Sequence, residues 1–233
     1  MVLIIMAAGS GSRYGKLKQF DELGPSKEFL MEFSIYDAVK AGFNHIVLIT
    51  RKKNKKYLEE YLNKRLPKHI KINVVVQEVT NLPEGCNINY KRIKPWGTAH
   101  AIWCAKNYVN QDFAIINADD FYGSNAFKNS FQYMNRKENN KNYGLVCYKL
   151  SETLSQFGSV SRGVCKVENN KLVHINEFLK IQQEDNIIID SNTGKILEED
   201  DQVSMNFWIC KNQFFIFLEN YIIKQLKELK NIE

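Results

Sequence analysis

The sequence predicts an α/β fold, with a mostly parallel sheet, helices on both faces and an antiparallel insertion in the second half. Three observations carry that expectation. Short, continuous Val/Ile-rich runs recur through the first two-thirds of the chain. Segments of helical periodicity separate them. Later the runs shorten and sit beside turn residues, the pattern of antiparallel pairs.

The elements follow in order. Val2–Met6 (VLIIM) reads as a buried strand, Ser34–Ala41 as a helix and His45–Thr50 (HIVLIT) as a second strand. Lys55–Leu66 sets Leu58, Tyr61, Leu62 and Leu66 on one helical face. Ile72–Gln77 is a third strand, Thr98–Val109 a helix and Phe113–Asn117 (FAIIN) a fourth strand. Beyond these, Gly144–Lys149, Val164–Glu168, Leu172–Glu177 and Val203–Cys210 read as strands, with Asn169-Asn170 as a hairpin turn. Asn186–Ile196 reads as a loop-borne hairpin and Gln213–Lys230 as an amphipathic helix. No linker, repeat or low-complexity tract intervenes, so a single domain over 1–233 is expected, in two halves, 1–123 and 124–233.

Composition narrows the function classes. Of 233 residues, 44% are hydrophobic and 25% charged, with 12 Gly and 4 Pro, which excludes collagenous or wholly disordered chains. The net charge of +6 suits anionic small molecules at least as well as nucleic acid. The basic run Arg51–Lys56 heads an amphipathic helix beside Glu59 and Glu60 without aromatic stacking partners; it reads as a solvated helix face, and no nucleic-acid partner is expected. No apolar run approaches the ~20 residues of a membrane span, so no membrane partner is expected either. The apolar start runs straight into glycines and reads as a strand, which makes the expected location cytoplasmic. Cys86, Cys104, Cys147, Cys165 and Cys210 are odd in number and lack C-x-x-C spacing, as for reduced, mostly core thiols without zinc.

The first strand ends in Ala7-Ala8-Gly9-Ser10-Gly11-Ser12-Arg13-Tyr14-Gly15-Lys16-Leu17-Lys18. Small residues after a parallel strand let backbone N–H groups close around phosphate oxygens. A dinucleotide fingerprint fails because Tyr14 stands where its third glycine belongs, and Thr50-Arg51-Lys52 offers no acidic residue after the second strand. A P-loop fails at Ser10 and Leu17. What remains is a glycine loop with two cations, Arg13 and Lys18, which suits a nucleoside triphosphate. Farther on, Lys94-Pro95-Trp96-Gly97-Thr98-Ala99-His100 opens a helix, where Gly97 allows close backbone approach and Thr98 is placed to cap. His100 reads as a packing or substrate-side residue. Ile115-Ile116-Asn117-Ala118-Asp119-Asp120 ends a buried strand in paired carboxylates, hard oxygen ligands suited to Mg²⁺ beside phosphates.

These motifs resemble the nucleotidyltransferases that activate phosphorylated small molecules, namely the sugar-1-phosphate nucleotidylyltransferases and the small cytidylyltransferases. Their signature is A-A-G-x-G-x-R followed by a lysine. The resemblance covers nearly the whole chain, closely as far as Gly123 and loosely after it. It implies a Rossmann-like, GT-A-like nucleotidyltransferase fold with a nucleotide-binding half (1–123) and an acceptor-binding half (124–233). It also implies Mg²⁺ on Asp119, catalytic roles for Arg13 and Lys18, and nucleotide contacts from Ala7, Ala8, Gly9, Ser10, Gly11, Ser12, Gln77, Pro95, Gly97 and Thr98. Lys27, after Gly24-Pro25-Ser26, is the other lysine that fits the pattern.

In the second half the resemblance places the acceptor near Ser161, Arg162, Glu177, Lys180 and Asn206, with Asn206 also open to a metal role. Gly158–Gly163 is expected to precede a hairpin and Asn176–Lys180 to end it. The implied partners are a nucleoside triphosphate and a phosphorylated small molecule; a homodimer is left open. The Arg13–Lys18 spacing and Lys18-Gln19 are more similar to the cytidylyltransferase branch, including capsule-modification enzymes of which one kind acts on L-glutamine phosphate. A sugar-1-phosphate uridylyl- or thymidylyltransferase is the rival enzyme. A nucleotide-binding regulatory subunit without turnover is the rival of another class.

Overall fold

The computed structural model describes residues 1–9, 21–86, 92–139, 141–185 and 187–230. The chain divides into two compact units, 1–144 with 209–233, and 145–208. The sequence-based split after 123 falls inside the first unit, because the strand-rich pattern begins only at Gly144.

The first unit is built on four strands, β1 (Val2–Met6), β2 (His45–Thr50), β3 (Lys71–Val76) and β4 (Phe113–Asn117). They lie in the order β3-β2-β1-β4, and all are parallel, with Val2 opposite both His45 and Phe113. The central strand is apolar throughout; Val2, Leu3, Ile4 and Ile5 are fully buried. From β1 the chain winds outward through α1 (Leu30–Ala41) and α2 (Lys55–Arg65), then returns through α3 (Thr98–Cys104) to the other side of β1. Right-handed crossovers in opposite directions set α1 and α2 on one face of the sheet and α3 on the other. The remaining helices, α4 (Ser124–Asn135) and α5 (Phe214–Lys230), pack on α1 and α3 respectively.

Helix ends explain several boundaries. α1 starts four residues before the helix expected from Ser34, because Glu32 Oε1 accepts the Phe29 N–H at 2.8 Å and caps the first turn. It stops at Gly42, whose φ of 115° donates the terminal N–H back to Ala38 and Val39. A Cβ there would lie 2.5 Å from the Phe131 ring of α4, so α1 and α4 require glycine at that corner. Thr98 does not cap α3. Gly97 holds the N-cap position and Thr98 is the first helical residue. The helix expected to reach Val109 ends at Cys104 and continues as a 3₁₀ turn, Lys106–Tyr108. On the α5 side, Trp103 Nε1 and Lys106 Nζ both donate to Glu219 Oε2, at 2.9 and 2.7 Å. Their hydrogen bonds hold the Glu219 carboxyl below the usual carboxylate range, the lysine contributing most.

The second unit carries β5 (Gly144–Lys149), β6 (Val160–Glu168), β7 (Lys171–Glu184), β8 (Ile187–Asp190), β9 (Lys195–Leu197) and β10 (Gln202–Cys210). The order is β10-β6-β7-β8-β9, antiparallel at each pairing, and β5 pairs with β10. Asn169 and Asn170 turn the β6–β7 hairpin with φ of 51° and 59°, the left-handed pair a two-residue turn demands. β6 and β7 are longer than expected, so Ser161 and Arg162 lie inside the hairpin, as do Glu177 and Lys180. The unit closes on a small core of Leu150, Phe178, Ile181, Ile188, Leu197 and Val203. Asp190, 1% exposed, accepts the Lys180 and Thr193 N–H groups and the Thr193 hydroxyl at 2.8–3.0 Å, which fixes the β8–β9 turn. Among the described residues no helix is long and apolar enough to cross a membrane.

Candidate active site

The direction of chain winding reverses at β1, between β2 and β4. In open parallel sheets that reversal opens a crevice at the carboxyl ends of the strands, where ligands bind. A cavity of about 810 Å³ lies there. β1 contributes Met6, Ala8 and Gly9 to its lining; β2 and β3 contribute the residues just past their ends, Arg51 and Gln77. Asn117 and Asp119 come from the end of β4, and Pro95, Gly97 and Thr98 from the approach to α3. Ala7 is buried behind it, its N–H donating to Ile49 O at 2.7 Å. Ser10, Gly11, Ser12, Arg13 and Lys18 lie outside the described residues. Lys27 is exposed and pairs with Glu22 at 3.7 Å; it is not among the lining residues.

The paired carboxylates part ways. Asp120 Oδ2 accepts from Asn117 Nδ2 at 2.8 Å and from the Tyr122 hydroxyl at 3.5 Å, while Tyr122 OH also receives the Asn117 N–H at 2.9 Å. Asp120 therefore braces the strand end. Asp119 stands exposed on the cavity wall, the one of the two open to a ligand. Among the described residues no three His, Cys, Asp or Glu side chains cluster as a metal cage. A Mg²⁺ site that borrows most of its oxygens from phosphates and water needs only one or two carboxylates, and Asp119 fits that donor set.

Behind the α3 side runs a polar network. Gln77 Nε2 donates to Gly97 O at 3.0 Å and meets His100 Nδ1 at 3.2 Å; His100 Nε2 donates to Asn81 O at 2.5 Å. Burial depresses the His100 pKa and keeps the ring neutral. Cys104 Sγ lies 3.7 Å from His100 Nε2, yet the pair is not a nucleophile and its base. Burial pushes that thiol up to about 11, so it stays protonated and serves packing. Gly97 itself has φ 98° and ψ −171°, a conformation open essentially to glycine alone.

A family model for nucleotidyl transferases matches residues 2–228. The chain belongs to the nucleotidyl transferase family. Over 130 residues, half of this chain, it is 32% identical to the UTP–glucose-1-phosphate uridylyltransferase of Bacillus subtilis (strain 168). That match spans 43% of the relative, so the chain aligns with under half the length of the curated relative it matches. Solved structures agree on the fold. An inositol-1-phosphate CTP transferase from T. maritima superposes with a TM-score of 0.62 at 17% identity, over 94% of this chain and 74% of that one. A putative glucose-1-phosphate thymidylyltransferase from Bacillus anthracis gives 0.62 at 14% identity, over 97% and 84%.

A second, smaller cavity of about 230 Å³ lies within the unit 145–208. Ser161, Arg162, Glu177 and Asn206 line it together with Ser204 and Trp208. Arg162 is anchored, its NH1 and NH2 donating to Ser161 O and Thr153 O at 2.8 and 2.6 Å. Glu177 is opposite Gly163 in the β6–β7 register, and a Cβ at 163 would meet Ile175 at 2.8 Å. Asn206 has φ 61°, a left-handed kink in β10. Lys180 is exposed and absent from the lining. The β6–β7 register slips between Val160 and Arg162, so Phe178 and Ile181, three residues apart, both enter the small core.

Lys94 and Asn117 line the cavity from within the quoted motifs, whereas Arg51 belongs to no motif and was read as part of a solvated helix face. Arg51 was hidden in a basic run; the signal available was its place immediately after a parallel strand, at the carboxyl edge.

Proposed function

We propose that the chain transfers CMP from CTP to a small phosphorylated acceptor, best represented by L-glutamine phosphate, yielding CDP-L-glutamine and pyrophosphate for capsule polysaccharide modification. The observation that carries the reading is the pair of cavities: a carboxyl-edge crevice of about 810 Å³ bearing Asp119, and a polar pocket of about 230 Å³ lined by Glu177 and Arg162. The first volume suits a nucleotide. The second favours a small acceptor of mixed charge, with Glu177 available to an ammonium group.

An acceptor phosphate oxygen attacks the α-phosphorus in line. The new P–O bond forms as the bond to the β-phosphate oxygen breaks, and pyrophosphate leaves. Asp119 would hold Mg²⁺, which supplies charge neutralisation at the phosphates. Arg13 holds the departing β,γ-phosphates and Lys18 stabilises the crowded α-phosphoryl group. Catalysis is positioning plus electrostatics, without a covalent intermediate.

The identity to a uridylyltransferase supports a second reading, UMP transfer to a sugar 1-phosphate. Pyrophosphate release measured for CTP, UTP and dTTP, each against L-glutamine phosphate and glucose 1-phosphate, separates the two. Turnover of CTP with the small acceptor is expected. Turnover of UTP or dTTP with glucose 1-phosphate, and none with CTP, would replace the first reading by the second; no release with any pair would leave a binding subunit.

A further inference from the structure

We infer that His100 is a positioning residue for the carboxyl-edge cavity: from behind the wall it locks the stretch leaving β3 to the start of α3. The inference rests on the nucleotide reading of that cavity. His100 is 1% exposed and is not among the lining residues, whereas Gln77 and Gly97 both are. A buried helix position filled only for packing calls for an apolar side chain, since each unbonded polar atom there costs free energy. Here both ring nitrogens are used, and both on the stretch that leaves β3. Nδ1 meets Gln77 Nε2 at 3.2 Å and Nε2 donates to Asn81 O at 2.5 Å. Gln77 Nε2 also donates to Gly97 O at 3.0 Å, which joins the β3 exit to the N-cap of α3. Residues on either side of His100 in the chain grip the same stretch. Trp96 Nε1 donates to Val79 O at 2.9 Å, and Asn81 Nδ2 donates to Cys104 Sγ at 3.5 Å. Trp103 stacks on the imidazole, ring centroids 5.8 Å apart, and sets its plane.

The lock admits one protonation state. The carbonyls of Asn81 and Gly97 can only accept, so the proton of the neutral ring is on Nε2 and the Gln77 amide turns its nitrogen to Gly97. Nδ1 is then the acceptor for the second amide hydrogen. A second proton, on Nδ1, would set donor against donor. Turning the amide to relieve that clash would set the Gln77 oxygen against Gly97 O. Either way the Gln77–Gly97 tie opens.

Burial holds the ring neutral, outweighing the Asn81 carbonyl, which favours the charged form. The charges on the surrounding elements are engaged elsewhere. On α5, Glu219 pairs with Lys106 at 2.7 Å and Lys224 with Glu228 at 3.9 Å. On the β3 exit, Glu78 pairs with Lys52 at 3.4 Å. Just past β2, Arg51 Nε donates to Ala8 O at 2.9 Å. The Cys104 thiol stays protonated, β1 carries no titratable side chain, and His45 lies at the opposite end of β2.

The test is CTP binding to the full-length chain by titration calorimetry, with Tm read in parallel. His100→Phe keeps a stacking ring and loses both hydrogen bonds; it should weaken CTP about tenfold at pH 7. Ile102→Ala, a buried packing residue of the same helix, should lower Tm at least as far and leave CTP affinity within about twofold. His100→Gln supplies a donor and an acceptor without titrating, and should stay within about threefold of the parent. As pH falls below the ordinary histidine range, the parent should lose affinity faster than His100→Gln, a ratio in which titration of the ligand cancels. Parent-like binding by His100→Phe, an equal loss in Ile102→Ala, or a ratio that stays flat down to about pH 5 would each overturn the inference. If His100→Phe does not fold, the pH comparison decides. If the parent binds CTP and every variant matches it, the nucleotide reading stands and this one fails. If the parent binds none of CTP, UTP and dTTP, the nucleotide reading fails and this one with it.

Discussion

Replacing each of the adjacent carboxylates separately should dissociate catalysis from stability. Asp119 is exposed and no side-chain bond ties it among the described residues, so Asp119→Asn should shift folding stability by no more than about 0.5 kcal/mol. The same change removes the negative charge offered to a divalent cation. One lost electrostatic stabiliser costs roughly 10²- to 10³-fold in kcat, or about 2.7–4 kcal/mol of barrier. Asp120→Ala should do the reverse. It strips acceptors from Asn117 Nδ2 and Tyr122 OH in a half-buried turn, a loss of about 1–3 kcal/mol, and should lower kcat much less. Urea denaturation at pH 7 reads the stabilities, and saturating pyrophosphate-release assays in Mg²⁺ read kcat. If Asp119→Asn turns over within tenfold of the parent, or if Asp120→Ala is the catalytic cripple, the division of labour is wrong.

Among the cations, Arg13→Ala and Lys18→Ala should each abolish most turnover, whereas Lys16→Ala and Lys27→Ala should be mild; a severe Lys27→Ala would reassign the key lysine. Lys211 is 5% exposed and its Nζ lies 2.7 Å from Asp112 Oδ2. Asp112→Ala should therefore cost about 2 kcal/mol in urea, below the fully buried range because Asp112 is itself partly exposed, while Lys211→Met should be close to neutral. The depressed Glu219 pKa is a stabilising contribution that is fully present above the ordinary carboxylate pKa and disappears as pH falls through the lowered value. Glu219→Gln should therefore be less stable than the parent at pH 7 and match it in strong acid, as read by thermal melts across pH.

The parallel core was legible where its strands, β1, β2 and β4, are buried on both faces. The runs at Val2–Met6, His45–Thr50 and Phe113–Asn117 carry no polar alternation, so their bounds coincide with the observed strands. α4 escaped notice because its surface is rich in Asn and Ser, weak helix formers, and its N-cap is Gly123 rather than a side-chain cap. Its buried residues, Ala126, Phe127, Ser130 and Met134, do recur at helical spacing, so the periodic signal was present in the sequence and went unused. β7 ran past its expected end because Phe178 and Ile181 enter the small core and Ile181–Glu184 pair with β8. The crevice residues were read from small residues and carboxylates at strand ends. Arg51 was not, since charge patterning alone cannot separate a solvated lysine run from a cation held against a backbone carbonyl.

The unit 145–208 leaves and rejoins the rest of the chain at two neighbouring positions, for the glycine at 144 sits against Ile209, 3.1 Å from its side chain to the place a Cβ would occupy. Such a junction behaves like a socket. A segment plugged in through adjacent contacts can be exchanged, lengthened or trimmed without altering the spacing of the strands that receive it. In the assignment proposed above, selection for a new acceptor would act on those 64 residues, while the phosphate-handling chemistry was inherited unchanged.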